Sequence, residues 1–206
     1  MASKNTADGR LFARELRLPG FFAQRVDFFA FSSYAMRGIN RKLWGVNEMD
    51  ISFKSGNEKF NYRVCAMMIF DGKILAMHDQ RSPYYYLPGG RVEIGETAEN
   101  AVIREVQEEL GVTTKIARPL WLNQAFFTED VDHLNYHELC IYFLMDIADT
   151  DLLARGKQFT SNEGHRTHTF EWLEFDRLND EYFYPLFLKK DIFNLPNVFT
   201  IRTEIE

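Results

Sequence analysis

Hydrophobic residues in one stretch of this 206-residue chain recur at the spacing of a helix. Val102, Val106 and Leu110 lie four residues apart, which places them on one face of a helix predicted over residues 97–110. Thr97 is suited to begin this helix as its N-cap, because a hydroxyl can accept a hydrogen bond from a free backbone N–H. Gly111 stands where a C-cap glycine ends a helix.

Other apolar runs are short and are bounded by turn residues, which is typical of strands. Asp71-Gly72 lies between two such runs and predicts a hairpin turn. The predicted strands cover residues 61–70, 73–79, 81–94, 117–127, 137–146 and 168–175, and a second helix is predicted over residues 179–193. Strands mixed with two helices in this order predict an α/β sandwich.

The first part of the chain differs from the rest in its hydrophobic periodicity, and the sequence therefore predicts two regions. Residues 1–59 show no clean period and are predicted to be an N-terminal extension, whereas residues 60–206 form the main domain. Within the extension, residues 11–31 carry a weak helical pattern. Residues 43–60 have the character of a linker or an edge strand.

Composition and charge narrow the function classes. The net charge of −6 argues against a general nucleic-acid binder, which needs a positive surface. Phosphate-bearing substrates would then need metal ions to offset the repulsion. Cys65 and Cys140 lie in apolar runs and are interpreted as buried thiols. Without a signal peptide or a membrane-spanning segment in the sequence, we expect a cytoplasmic protein and no membrane partner.

Three acidic residues of the first predicted helix point to metal chemistry. Glu105, Glu108 and Glu109 stand at i, i+3 and i+4, so they share one face. A multivalent cation would relieve their repulsion, and hard oxygen ligands favour Mg²⁺, with Mn²⁺ as the alternative. The glycine pair Gly89-Gly90 precedes this helix by one loop, and its backbone can approach a ligand closely. The alternative is a solvated acidic helix face.

The segment that contains these residues, LPGGRVEIGETAENAVIREVQEELGV, resembles the signature of the Nudix hydrolases. That signature is G, five residues, E, seven residues, R-E-U, one residue, E-E, one residue and G-U, where U is a bulky aliphatic residue. All nine positions are met, by Gly90, Glu96, Arg104, Glu105, Val106, Glu108, Glu109, Gly111 and Val112. The resemblance implies a Nudix-like α/β/α sandwich with a mixed sheet and an N-terminal extension.

The same resemblance implies roles for individual residues. Glu105, Glu108 and Glu109 of this signature, called the box below, would bind the divalent cations. Gly89 would offer its carbonyl oxygen to a metal. Arg104 would orient Glu105 through a salt bridge, with Glu96 as its further partner. Gly90 and Gly111 would have structural roles in the loop and at the helix end.

Many family members use a further glutamate from a late loop. Glu163 fits that description, because it precedes Glu171-Trp172 at the start of a predicted strand, and Glu138 is its rival. His165 and His168 follow Glu163 closely. Each is a candidate metal ligand or general acid, although an exposed loop histidine is the more common case.

Contacts to the substrate are predicted from aromatic and basic residues near the box. Tyr85 and Phe127 are candidates for stacking on a base, although aromatic residues more often pack in the core. Arg63 and Arg81 are candidates for phosphate contacts, although surface salt bridges are the commoner fate of arginines.

Together these observations predict a metal-dependent hydrolase that cleaves a diphosphate linkage in a small nucleoside diphosphate derivative. The alternative is a binding module of the same fold that senses a nucleotide without cleaving it. A homodimer, in which the extension is exchanged between subunits, is also left open.

Overall fold

The computed structural model describes residues 49–206, and the strands of this region form two sheets. One sheet is six-stranded and mixed, with β2 parallel to β7, β6 parallel to β10, and β6 antiparallel to β7. Its members, in order, are β1 (Ser52–Ser55), β2 (Glu58–Met67), β7 (Asn135–Asp146), β6 (Lys115–Thr128) and β10 (Thr200–Ile205), with β5 (Gly89–Arg91) pairing with β2. The second sheet is four-stranded and antiparallel, in the order β3 (Ile69–Phe70), β4 (Lys73–His78), β9 (Arg166–Glu174) and β8 (Gln158–Glu163).

Helical layers cover both sides of the sheets. Helix α1 (Ala98–Leu110) packs on one side, and helix α2 (Leu188–Asp191) with a 3₁₀ helix (Phe175–Asn179) packs on the other. A further 3₁₀ helix covers Leu152–Arg155. This arrangement confirms the predicted α/β/α sandwich with a mixed sheet.

Strand β2 divides the core because its side chains alternate between the two faces. Val64 and Ala66 join the hydrophobic cluster under α1, whereas Cys65 and Met67 join the cluster under α2. A strand that is apolar on both faces needs cover on both, which explains the two helical layers. Cys65 and its neighbour Cys140 are buried free thiols, as predicted.

Several predicted elements are confirmed. Helix α1 begins after Thr97 and ends at Gly111, and the predicted strands over 61–70, 73–79, 117–127, 137–146 and 168–175 are present with small shifts at their ends. Asp71 and Gly72 both have positive φ and form the turn between β3 and β4.

Two predicted elements are wrong over most of their length. Only β5 forms in the segment 81–94, since Pro83 and Pro88 lack the N–H that a strand ladder needs. The helix predicted over 179–193 is reduced to α2, because Pro185 interrupts the helical pattern. Strands β8 and β10 were not predicted.

The described part of the predicted extension, residues 49–59, contains strand β1, an edge strand that pairs with β2, and the first two residues of β2. The predicted boundary after residue 59 falls within β2, because β1 and β2 form one hairpin across Gly56. The weak helical pattern over residues 11–31 lies outside the described residues. Among residues 49–206, the structure contains no helix with the length and apolarity to span a membrane.

Candidate active site

Helix α1 presents two of the three box glutamates, Glu105 and Glu109, toward strand β5. The Thr97 hydroxyl accepts a hydrogen bond from the Asn100 backbone N–H at 3.2 Å, which fixes the start of the helix. Val102 and Val106 are fully buried beneath it. With that face anchored in the core, Glu105 and Glu109 also become buried, at 9% and 5% exposure.

Glu109 is held against strand β5, called the glycine strand below. Its carboxylate accepts a hydrogen bond from the Gly89 backbone N–H at 2.9 Å. Burial raises the pKa of Glu109 well above its usual range, and the charges of Glu105 and Glu163 raise it further, while the Gly89 hydrogen bond opposes the shift. Negative charge at this position is therefore costly unless a cation approaches.

The absence of side chains at the glycine pair makes this approach possible. A Cβ atom on Gly90 would lie 2.3–2.5 Å from the carboxylate atoms of Glu105. A Cβ atom on Gly89 would lie 2.2 Å from the carbonyl oxygen of Val64 on the neighbouring strand. Glycine at position 90 therefore lets helix α1 approach β5, and glycine at position 89 lets β5 lie close to β2.

Glu105 is the second buried carboxylate of the site. Burial raises its pKa, and the adjacent guanidinium of Arg104 opposes this shift, while Glu108 adds to it. Arg104 Nη1 lies 2.9 Å from a carboxylate oxygen of Glu105 and 2.9 Å from one of Glu108. Glu108 is the most exposed of the three box glutamates.

Arg104 ties helix α1 to the loop that precedes it. It donates two hydrogen bonds of 3.1 Å to the buried carboxylate of Glu96, and one of 2.9 Å to the carbonyl oxygen of Arg91. Because one guanidinium joins Glu96, Glu105 and Glu108, it acts as a positioning group for the cluster.

The Arg104→Lys variant is expected to lose about 2 kcal/mol of unfolding free energy, because a single ammonium cannot replace the forked contacts to Glu96 and Arg91. Urea unfolding measures this loss. Arg166→Lys, at an exposed position on β9, is the matched control and is expected to change stability by less than about 0.5 kcal/mol. Equal losses in both variants would contradict this role for Arg104.

Glu163 lies on the same side of the molecule as the buried pair. It is the last residue of β8, next to a tight turn at Gly164, and its carboxylate lies 3.1 Å from Nε2 of His168. Strand β8 packs against helix α1, and the charge of Glu163 contributes to the raised pKa of Glu109. His168 is buried in β9, while His165 is exposed in the turn. The sequence could not show this pairing because β8 was not predicted.

Glu138 has different surroundings. It lies on β7, where its carboxylate accepts a hydrogen bond from Asn61 Nδ2 at 3.3 Å and lies 3.9 Å from Arg63 Nε. Arg63 also donates a hydrogen bond of 3.4 Å to the carbonyl oxygen of Gly89. Arg63 therefore connects the glycine strand to the region around Glu138.

A cavity of about 310 Å³ adjoins Arg63. Phe127 lines it, as do Tyr84 and Tyr86, and the Phe127 ring stacks on Tyr136 with centroids 5.1 Å apart. The predicted stacking residue Tyr85 does not line the cavity. Its hydroxyl donates to Glu171 at 2.9 Å, because alternate members of the tyrosine run point to opposite sides.

Arg81 also lies away from the cavity lining. It is exposed in a turn, where its backbone N–H donates to Asp79 at 2.7 Å. The aspartate fixes this turn by accepting a second backbone hydrogen bond, from Ser82. Of the four predicted substrate contacts, Arg63 and Phe127 line the cavity, whereas Tyr85 and Arg81 do not.

The donor set of the cluster fits a hard divalent cation. Glu105, Glu108, Glu109 and the Gly89 carbonyl supply only oxygen, the donor that Mg²⁺ and Mn²⁺ prefer. Among residues 49–206, no three acidic, histidine or cysteine side chains converge as a metal-binding group. Arg104 contacts one oxygen of Glu105 and one oxygen of Glu108, and the second oxygen of each carboxylate would then be the one that binds a cation.

Comparison with known proteins shows the family of the chain. A family model described as the NUDIX domain matches residues 59–190. The chain therefore belongs to the Nudix family. The match includes the glycine strand, helix α1 and strands β6 to β9.

The names of individual relatives state several different activities. The chain is 37% identical over 87 residues to an ADP-ribose pyrophosphatase of Methanocaldococcus jannaschii, which covers 41% of this chain and 49% of that protein. It is 31% identical over 109 residues to an NAD-capped RNA hydrolase of Klebsiella pneumoniae, covering 52% and 36%. The chain thus spans half or less of the length of these two relatives. A solved ADP-ribose pyrophosphatase of Streptococcus suis is 17% identical, with 71% and 98% of the two chains covered and a TM-score of 0.45.

Proposed function

We propose that this chain is a divalent-metal-dependent hydrolase that cleaves a diphosphate linkage in a nucleoside diphosphate derivative. The observation that carries the proposal is the buried pair Glu105 and Glu109 against the glycine strand, next to Arg63 and an aromatic cavity. Burial raises the pKa of both carboxylates, and the charge of Glu105 raises that of Glu109 further, so a cation bound between them would stabilise their charged forms.

The cation would be Mg²⁺, with Mn²⁺ as the alternative, held by the three box glutamates and the Gly89 carbonyl oxygen. Bound there, it would offset phosphate charge, polarise a phosphorus–oxygen bond and activate a water molecule. Arg104 would keep Glu105 and Glu108 close to the site through its anchor on Glu96. Arg63 would donate to a phosphate oxygen, because its side chain already reaches the Gly89 carbonyl.

In the proposed reaction, water attacks one phosphorus of the diphosphate. A new phosphorus–oxygen bond forms, the bond to the bridging oxygen breaks, and the proton of the water passes to a general base. Glu163 is the preferred base, because it lies near Glu109 and is oriented by His168. Glu138 is less suited, since it is engaged by Asn61 and Arg63 on the cavity side.

The names of the relatives suggest the first compounds to test. An ADP-ribose pyrophosphatase and an NAD-capped RNA hydrolase both act on molecules in which a diphosphate joins two organic groups. ADP-ribose is the smaller of these compounds, and the box itself leaves substrate choice to other parts of the fold.

The test is incubation of the full chain with ADP-ribose and a panel of nucleoside diphosphate derivatives, with Mg²⁺ or with EDTA, followed by ion-exchange separation of the products. Two monophosphate products are expected from at least one compound, with Mg²⁺ only. A parallel preparation of the Glu108→Gln, Glu109→Gln variant gives the background. If calorimetry detected binding of a compound that is never cleaved, the chain would be a sensing module.

A further inference from the structure

The cavity beside Arg63 has a floor built from one face of the six-stranded sheet. Strand register places Glu204, Ala125, Glu138 and Asn61 side by side across β10, β6, β7 and β2. All four line the cavity. Helix α1 packs on the opposite face, so the cavity lies across the sheet from the main body of that helix.

The two sides of this floor differ in charge. The basic side chains of the cavity lining, Arg63 and Arg91, lie on β2 and on the glycine strand β5, and Glu138 lies 3.9 Å from Arg63 Nε. Three strand spacings away, roughly 14 Å, β10 contributes Glu204. Glu206 lies beside it in the lining, and burial together with the charge of Glu204 raises the pKa of Glu206 to about 7. A phosphate is therefore favoured at the first side and repelled at the second.

Asn123 supplies an unused acceptor at the acidic side. Its side chain is 1% exposed and lines the cavity, and its Nδ2 donates to Glu204 at 3.0 Å. That hydrogen bond fixes the amide so that Oδ1 is the free acceptor, and Oδ1 has no partner within the described chain. Glu204 is itself fixed, because it also accepts a hydrogen bond from the Phe187 backbone N–H at 3.1 Å.

A buried acceptor without a partner is unfavourable in a folded protein, and a ligand donor would satisfy it. The same cavity is lined by aromatic rings, namely Tyr84 with Tyr86 and the stacked pair Phe127 and Tyr136. Such walls suit a planar or ring-shaped group. The matching chemistry is an uncharged ring that carries N–H or O–H donors.

We propose that the cavity selects an uncharged, donor-bearing ring of the substrate, and that Asn123 and Glu204 are its specificity-determining residues. The diphosphate would extend from there toward Arg63 and the glutamate cluster, an orientation that rests on the proposed hydrolase function. Two groups carry the required donors: the exocyclic amine of a nucleobase and the hydroxyls of a sugar.

Calorimetric titration of the full chain in EDTA separates these two sources without requiring turnover. One arm compares AMP with purine riboside 5′-monophosphate, which lacks the exocyclic amine. The other compares ADP-ribose with ADP, which lacks the distal sugar. We expect one arm to show a preference of about tenfold to a hundredfold for the compound with the donors, the range of one hydrogen bond to a buried acceptor.

Variants of Asn123 and Glu204 then test whether these residues cause the binding preference for the donor-bearing compound. Asn123→Leu is expected to abolish it, whereas Gln124→Leu, at the next residue of β6 and outside the cavity lining, is expected to leave it unchanged. If Asn123→Leu fails to fold, Glu204→Gln decides, since it replaces one acceptor oxygen by a donor and is expected to weaken the same ligand about tenfold.

A preference below about twofold in both arms would overturn the proposal, as would a preference that persists in these variants. The outcome is independent of the hydrolase assay. Selective binding without Mg²⁺-dependent cleavage would refute the proposed function alone, and cleavage without selective binding would refute the specificity proposal alone.

Discussion

The Glu109→Gln variant is expected to lose activity and to gain stability. With Mg²⁺, its turnover should fall on the order of 10²–10³-fold, because the variant lacks one charged ligand of the cluster. In metal-free buffer, its unfolding temperature should rise by about 2–4 °C, or about 1 kcal/mol for a chain of this size. The glutamine carbonyl can still accept the Gly89 hydrogen bond, so only the buried charge is removed.

The gain in stability should depend on pH. The folded-state pKa of Glu109 is raised above its unfolded-state value, so this carboxyl favours the folded chain only at low pH. That contribution is present below the unfolded-state pKa and is lost as pH rises through the folded-state pKa. The difference between variant and wild type in metal-free buffer should therefore be larger at about pH 8 than at about pH 5.

Thermal unfolding with EDTA or Mg²⁺, together with the turnover assay, checks these expectations. Glu99→Gln is the matched control, because Glu99 is an exposed glutamate in the first turn of the same helix. It should match the wild type in both measurements. A Glu109→Gln variant with wild-type turnover, or with a lower unfolding temperature in EDTA, would contradict the role given to this carboxylate.

The Gly89→Ala variant is expected to be strongly destabilised, by about 3 kcal/mol or more. Gly89 has a φ of 141°, and an added Cβ would lie 2.2 Å from the Val64 carbonyl oxygen. That oxygen belongs to β2, which pairs with β5, so it cannot move without breaking the pairing. Urea unfolding measures the loss.

The Gly95→Ala variant separates the two causes of the destabilisation expected for Gly89→Ala, which are the steric clash and the positive φ. Gly95 also has a positive φ, of 79°, but an added Cβ would have nothing within 4 Å. Its cost should be only about 1 kcal/mol, the usual penalty for a side chain in this region of φ. Similar losses in the two variants would show that contact with β2 is not the cause.

The glutamate cluster could be predicted because its determinants are local. Helix spacing, the cap at Thr97 and the glycine pair all lie within 25 residues of one another, and the box fixes their order. The acidic side of the cavity, with Asn123 and Glu204, could not be predicted from the sequence. These two residues meet only through the parallel pairing of β6 with β10. A contact at such separation leaves no periodic signal in the sequence.

The run of Tyr84, Tyr85 and Tyr86 could be predicted only in part. Alternation predicts that Tyr85 faces away from its neighbours, but it does not tell which side faces the cavity. The structure places Tyr84 and Tyr86 on the cavity, and Tyr85 on Glu171. Likewise, His168 was expected to be exposed, and it is buried because β8 and β9 form a hairpin that the sequence pattern did not indicate.

The short strand β5 joins two parts of the molecule that can change independently. Glutamates on α1 meet its glycines from one side of the sheet, while β6 and β10 form the far side of the cavity floor. Substitutions at sites that share no contacts usually have additive effects. With the proposed roles of Asn123 and Glu204, changes at these two positions would redirect ligand choice during evolution, or in a selected library, while the helix that carries the three box glutamates keeps its sequence.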